Sequence, residues 1–224
     1  MSGASASTES MTVLGAAFGC GEALAATIAA LGRETAHGRG AVLWPRGEEG
    51  EAASLLTQGR AVELAYGREG AVLVFHAIGP GEFFGDLAGS GGNHSGAQVE
   101  ALGEGTAVHF AASVMVRLME SYPTVALAMA RHLSARIAAM RQRMVETTLL
   151  SATGRIAAQL LRLAQAGGGT IRPVPVFSEL ALQVQSTRET VSRTVSSLEK
   201  RGILKRVDGG LELVAPHRLE ELVY

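Results

Sequence analysis

The run Gln185-Ser186-Thr187-Arg188-Glu189-Thr190-Val191-Ser192-Arg193-Thr194-Val195-Ser196-Ser197-Leu198-Glu199-Lys200-Arg201-Gly202-Ile203-Leu204 reads as one helix with two unlike faces. Val191, Val195 and Leu198 recur at i, i+4 and i+7, which makes an inward apolar stripe. Arg188, Glu189, Ser192 and Arg193 fall together on another face. Such side chains can read base edges: an arginine fork fits guanine O6 and N7, and a glutamate accepts from cytosine N4. Ser186-x-x-Glu189 has the capping-box pattern, and Gly202 after Lys200 and Arg201 suits a helix end. The helix is therefore expected over Thr187–Arg201.

The flanking segments complete a motif. Phe177–Val184 predicts a short helix starting near Ser178, with Leu180 and Val184 inward, and the few residues after it form the turn of a helix-turn-helix. Leu204–Val214 alternates apolar and polar residues around Gly209-Gly210, which predicts a β-hairpin. Helix, turn, helix and hairpin together make a winged helix. The competing reading is a small α+β domain whose exposed face merely carries charge.

Upstream the pattern changes twice. Met1–Ser10 is small and polar and reads as a disordered tail, and Glu22–Leu31 as a short helix. From Glu34 to Phe110, short apolar runs alternate with turns at Gly47–Gly50, Gln58-Gly59, Gly67–Gly70, Pro80-Gly81 and Gly89–Asn93. Strands are expected at Ala41–Trp44, Ala53–Leu56, Arg60–Tyr66, Ala71–Ala77, Ala97–Ala101 and Thr106–Phe110, an antiparallel sandwich or barrel. Pro123 opens a long helix. Along it Ala130, Leu133, Ile137, Met140, Met144 and Thr147 step by three and four alternately, the a/d spacing of a two-helix seam. A helix packed only on its own barrel would also carry an apolar stripe. A hinge near Ser151–Gly154 leads to a helix at Arg155–Ala164 and a glycine-rich loop at Gln165–Thr170.

Three motifs in this order resemble the CRP/FNR transcription regulators. Arg188-Glu189-Thr190-Val191-Ser192-Arg193, with Leu198-Glu199 and Gly202-Ile203-Leu204, resembles that family's recognition helix. Thr153-Gly154-Arg155-Ile156-Ala157 resembles the entry to its DNA-binding domain, and Gly79-Pro80-Gly81-Glu82-Phe83-Phe84-Gly85-Asp86-Leu87 its effector-barrel signature. One departure sits in the turn, where Gln185 and Ser186 replace a common glycine.

The resemblance implies an α+β chain in four parts. Residues 1–33 are a tail and short helix. Residues 34–122 are a double-stranded β-helix, or jelly roll, of the cyclic-nucleotide-binding type. Residues 123–150 are a dimerisation helix, and 151–224 a winged helix-turn-helix. It also implies a homodimer through Ala130, Leu133, Ile137, Met140 and Met144, double-stranded DNA as ligand, and RNA polymerase as partner. Arg193 is expected to read a guanine and Glu189 a cytosine. Arg188 resembles the CRP branch and Ser192 the FNR branch, so each half-site should hold a G-A core, as in TGTGA or TTGAT. Lys205 and Arg206 on the wing should touch phosphate.

The effector positions implied by the resemblance are Gly85, Asp86, His94, Ser95, Met140 and Arg141. Cyclic-AMP-binding relatives clamp the phosphate with an arginine, where this chain has Ser95 or His94, and neither makes that fork. Asp86 is one methylene shorter than the family's ribose-binding glutamate, and Met140 and Arg141 stand where hydroxyls meet the base. Cyclic AMP control is therefore not expected, and the sequence names no other effector.

Composition bounds the remaining classes. The 224 residues are 47% hydrophobic and 18% charged, which fits globular domains. The net charge is −1, with +3 in residues 151–224 and −4 in the rest. That balance argues against a general DNA-coating protein, which with a cupin-like barrel enzyme stays the alternative reading, and fits a localised nucleic-acid surface. A cupin-like barrel enzyme would need a close His/Glu cluster, whereas His76, His94 and His109 are scattered. No cofactor requirement, metal site or enzymatic activity is expected. Cys20 is the only cysteine, so neither an intrachain disulfide nor a cysteine-ligated cluster can form. Met11–Leu31 is apolar but broken by glycines and lacks a preceding positive region, so a cytoplasmic protein without a membrane span is expected.

Overall fold

The computed structural model describes residues 7–46, 52–68, 72–87 and 96–223. The turns read at Gly47–Gly50 and Gly89–Asn93, half of that at Gly67–Gly70, and the first six residues lie outside these. The chain forms two compact units, Met1–Ala139 and Met140–Tyr224.

The first unit opens with two helices, α1 (Thr8–Phe18) and α2 (Glu22–Leu31). This corrects the disordered tail at Ser7–Ser10, its first six residues lying outside the described ones, and the single short helix read before residue 34. Ser7 caps α1, accepting from the Ser10 amide at 3.2 Å, and its own amide donates to Glu34 at 2.9 Å. The Ser10 hydroxyl, itself buried, donates to the same carboxylate, so a small polar sequence is held by a cap network on Glu34.

Eight strands follow. These are β1 (Arg33–His37), β2 (Val42–Trp44), β3 (Ala52–Gln58), β4 (Ala61–Tyr66), β5 (Val72–Ile78), β6 (Phe83–Gly85), β7 (Gln98–Ala101) and β8 (Gly105–Ala111). They pair into two antiparallel four-stranded sheets, ordered β1-β8-β3-β6 and β2-β7-β4-β5. Strands β3, β6 and β8 of the first sheet bury side chains on both faces. Leu55, Phe83, Val108 and Phe110 join a cluster with Leu14, Phe18 and Ile28 of the opening helices. Their neighbours Leu56, Phe84 and Ala107 face Trp44, Ile78 and Val99 between the sheets. Alternation places adjacent residues on opposite faces, so a doubly covered strand reads as a continuous apolar run.

Helices α3 (Ala112–Ser121) and α4 (Pro123–Leu149) come next. Met115 and Leu118 of α3, and Val125 and Met129 of α4, complete the outer cluster. The boundary between the two units falls within α4.

The second unit adds α5 (Ala152–Ala166), β9 (Thr170–Ile171), α6 (Phe177–Gln183), α7 (Arg188–Lys200), β10 (Leu204–Val207), β11 (Gly210–Leu213) and α8 (Pro216–Glu220). Its core joins Ile156 and Leu160 of α5 to Leu180, Val191, Val195, Leu198, Ile203, Leu211 and Leu219. The hairpin turn lies on Asp208-Gly209, because Val207 pairs with Gly210. Gly210 is a strand residue instead: a Cβ there would sit 2.7 Å from the Ile171 carbonyl of β9. The wing sheet thus has three strands, ordered β10-β11-β9, with β9 unread from its two-residue length.

Candidate nucleic-acid interface

Helix α7 is anchored by its apolar stripe. Val191 and Val195 are 0% exposed and Leu198 is 1% exposed. Arg188, Glu189 and Arg193 are exposed away from that core, and Ser192 is half-buried. The N-cap is Thr187, whose hydroxyl accepts from the Thr190 amide at 3.1 Å. This replaces the capping box read from Ser186 and starts the helix at Arg188.

The Glu189 carboxyl is held below the usual carboxylate range, first by its own backbone N–H and then by the Thr187 hydroxyl. The charges of Arg188 and Arg193 act in the same direction. It is therefore an anion at neutral pH, the form that accepts a hydrogen bond. No ion pair among the described residues joins Glu189 to Arg193 one turn on.

The turn before α7 has a defined geometry. The Gln185 amide donates to the Leu182 carbonyl at 3.3 Å and the Ser186 amide to the Ala181 carbonyl at 2.9 Å. That pair of bonds is a Schellman ending for α6, and it needs a left-handed residue at its pivot. Gln185 fills that position with φ 49°, the only non-glycine with positive φ among the described residues. Helix α7 ends by the same motif, with Gly202 at φ 68°.

A Schellman ending leaves the last carbonyls of a helix to other donors. Arginines supply them here. Arg155 of α5 donates Nε to the Val184 carbonyl at 2.8 Å and Nη2 to the Gln185 carbonyl at 3.0 Å. Its Nη1 reaches the Leu150 carbonyl at 2.9 Å. Arg143 of α4 donates to the Gln183 carbonyl at 2.8 Å. Behind them, Glu146, buried at 7% exposure, pairs with Arg162. Burial pushes the Glu146 carboxyl up, but the bonds from Arg162 and Gln142 and the charges of Arg162 and Arg143 outweigh it, so it lies below the usual range. This framework is not legible in the sequence: Arg155 lies in a quoted motif without a stated role, and nothing in its spacing singles out Arg143.

On the wing, Lys205 and Arg206 are both exposed. Arg206 Nε pairs with Glu199 of α7 at 2.8 Å, which fastens the wing to the helix. Lys205 lies opposite Glu212 in the ladder.

The other sequence-derived positions fall elsewhere. Leu133, Ile137, Met140 and Met144 are 42, 57, 45 and 72% exposed along α4, and Ala130 is exposed with them. Gly85 ends β6, and Asp86 after it is buried at 7% exposure. Met140 and Arg141 are exposed on α4. His94 and Ser95 lie outside the described residues. Within the first unit, α4 meets the barrel through an Arg136–Glu63 ion pair and the edge-on packing of His132 against Phe83 at 5.3 Å. His76 and Glu82 approach to 3.3 Å close by. His109 is held between the hydroxyls of Thr35 and Ser54, each at 2.8 Å. Among the described residues no group of three or more His, Cys, Asp or Glu side chains could hold a metal. Burial pushes the Cys20 thiol up, towards the unreactive form. No single helix among the described residues is long and apolar enough to cross a membrane. The apolar pair α1–α2 instead buries Leu14, Phe18 and Ile28 against the barrel.

Known proteins place the two units. Residues 34–122 match the cyclic nucleotide-binding domain model, and residues 154–222 the Crp-like helix-turn-helix domain model. The chain is 27% identical over 189 residues to the Cyclic AMP receptor protein of Thermus thermophilus, covering 83% of this chain and 86% of that protein. It is 31% identical over 149 residues to the nitrogen fixation regulation protein FixK of Bradyrhizobium diazoefficiens, covering 64% of this chain and 62% of that protein. In fold it is similar to FixK2 from Bradyrhizobium japonicum, with TM-score 0.73, 20% identity, and 86 and 98% of the two chains covered. It is also similar to a mutant CooA from Carboxydothermus hydrogenoformans, with TM-score 0.77, 20% identity, and 88 and 90% covered. A barrel matched as a cyclic nucleotide-binding domain, followed by a Crp-like helix-turn-helix, is the family's domain order, and the chain belongs to the CRP/FNR family of DNA-binding transcription regulators.

Proposed function

We propose that the protein is a homodimer that reads two DNA half-sites with paired α7 helices and is not controlled by cyclic AMP. The observation that carries the DNA reading is the exposed Arg188–Glu189–Arg193 face, without an ion pair between Glu189 and Arg193, on a helix whose opposite side is buried. A guanine for Arg193 and a cytosine for Glu189 follow from their donors and acceptors, and the G-A core of each half-site is what the family resemblance adds. Lys205 is the wing's phosphate contact, while Arg206, already paired with Glu199, steadies the wing.

The dimer is supported by the seam on α4. Four large apolar side chains at a/d spacing stay in water in the single chain, and a second copy of the same helix would bury them. Two-fold symmetry then sets the half-sites about one helical turn apart, roughly 34 Å. RNA polymerase is the protein partner that the family implies, the cytoplasm its compartment, and neither a cofactor nor catalysis is required. One relative is named for cyclic AMP, but neither Ser95 nor His94 carries the guanidinium that would grip its phosphate. Calorimetry with cyclic AMP should show no micromolar binding.

Half-site spacing tests the reading as a whole. A duplex with two half-sites one turn apart should be bound at least about tenfold more tightly than one with roughly half a turn inserted between them. Equal affinities would refute a two-fold reader.

A further inference from the structure

We propose that Arg143 is a positioning residue for DNA reading, tying the helix-turn-helix turn to the long helix α4 and so fixing where α7 begins. The proposal rests on α7 being the reading helix. Three successive carbonyls, those of Gln183, Val184 and Gln185, emerge where α6 ends. Two are taken by Arg155 from α5, and the first by Arg143 from α4. Gln159 adds a side-chain bond to Gln183 at 3.1 Å. The strained pivot at Gln185 is thus over-determined on both sides, and Thr187, the cap of α7, follows two residues later.

The geometry decides what Arg143 does. It is a half-buried guanidinium with its Nη1 on a carbonyl of the turn, not on the exposed face of α7. Burial and the neighbouring Arg162 lower its pKa, with Glu146 opposing them. Base readout by an arginine fork tolerates only about half an ångström and 10–20° of misplacement. Phosphate attraction is far less particular about geometry. Loosening the turn should therefore cost specificity and leave non-specific binding intact.

The test uses the full-length protein and two duplexes of equal length, one carrying the site selected by the wild type and one scrambled. Arg143→Met keeps the side chain's bulk and removes its donors. Its ratio of specific to non-specific affinity should fall about tenfold, the size of one lost base contact. Non-specific affinity and its salt slope should stay unchanged, and Arg143→Lys, which keeps a cationic donor, should recover part of the ratio. An unchanged ratio overturns the proposal. So does an equal weakening on both duplexes with the salt slope reduced by about one, the mark of a phosphate contact. A thermal midpoint more than about 10 °C below wild type also overturns it, in favour of a merely structural role. Arg193→Ala is measured in parallel. If that substitution leaves the ratio unchanged, the assignment of α7 itself fails; if it lowers the ratio and Arg143→Met does not, only the role of Arg143 fails.

Discussion

Gln185 and Gly202 perform the same task at the ends of consecutive helices, and only one of them is a glycine. A left-handed residue with a Cβ costs roughly 1–2 kcal/mol, whereas glycine gives up about 0.5–1 kcal/mol of chain entropy. Gln185→Gly is therefore expected to stabilise the protein by up to about 1 kcal/mol and raise its thermal midpoint by a few degrees. A lowered midpoint would mean that the half-buried Gln185 side chain holds the turn more than its backbone strains it. The carbonyls of Gln183, Val184 and Gln185 are untouched by this change, so Arg143 and Arg155 keep their acceptors.

Among the elements, α4 has two jobs on different faces. Val125 and Met129 are buried in the first unit, and Glu146 is buried against Arg162 in the second. The stripe through Leu133, Ile137, Met140 and Met144 belongs to neither core. Ile137→Asp places a charge in a seam meant for a second copy, at a cost of several kcal/mol. Sedimentation should show a wild-type dimer and a variant monomer at micromolar concentration; a monomeric wild type contradicts the seam. Elements with strong periodicity were legible in the sequence. Helix α7 could be read because Val191, Val195 and Leu198 keep the period and Gly202 stops it. Strand β1, Arg33–His37, carries almost no apolar signal, because none of its residues is buried at this edge of the sheet. Strand β6 was hidden by its length, with Phe83 and Phe84 buried in two different clusters. The exposed polar face of α7, with Arg188, Glu189 and Arg193, was likewise visible as chemistry on one helical side. The arginines behind it were not, since Arg143 bonds to a backbone carbonyl 40 residues on, and a carbonyl has no residue signature.

The whole molecule should lose stability in two stages as pH falls. Burial, aided by Arg136, holds the His132 imidazole below its ordinary range, and burial does the same for His109. Both are neutral in the fold but take protons readily when unfolded. Their contribution is complete above the ordinary histidine value near pH 6.5 and is lost as pH falls through it towards the lower folded values. Glu82 and Glu146 are depressed carboxylates, despite a burial that pushes each up, because hydrogen bonds and nearby positive charge outweigh it. Their contribution is present above the ordinary carboxylate range and lost as pH falls through their folded values. Melting temperature should therefore drop first between about pH 7 and 5.5, and again below about pH 4.5. His132→Gln should flatten the first drop; an unchanged first drop would assign it to other groups. At neutral pH these groups are settled, and residues 151–224, which carry the exposed face of α7, hold a net charge of +3. The most direct measurement of that face is selection from randomised duplex DNA by the wild type and by Arg193→Ala. The variant is expected to bind about 1–3 kcal/mol more weakly and to lose its preference at one base pair of each half-site. Recovery of the same motif by both proteins would contradict this expectation.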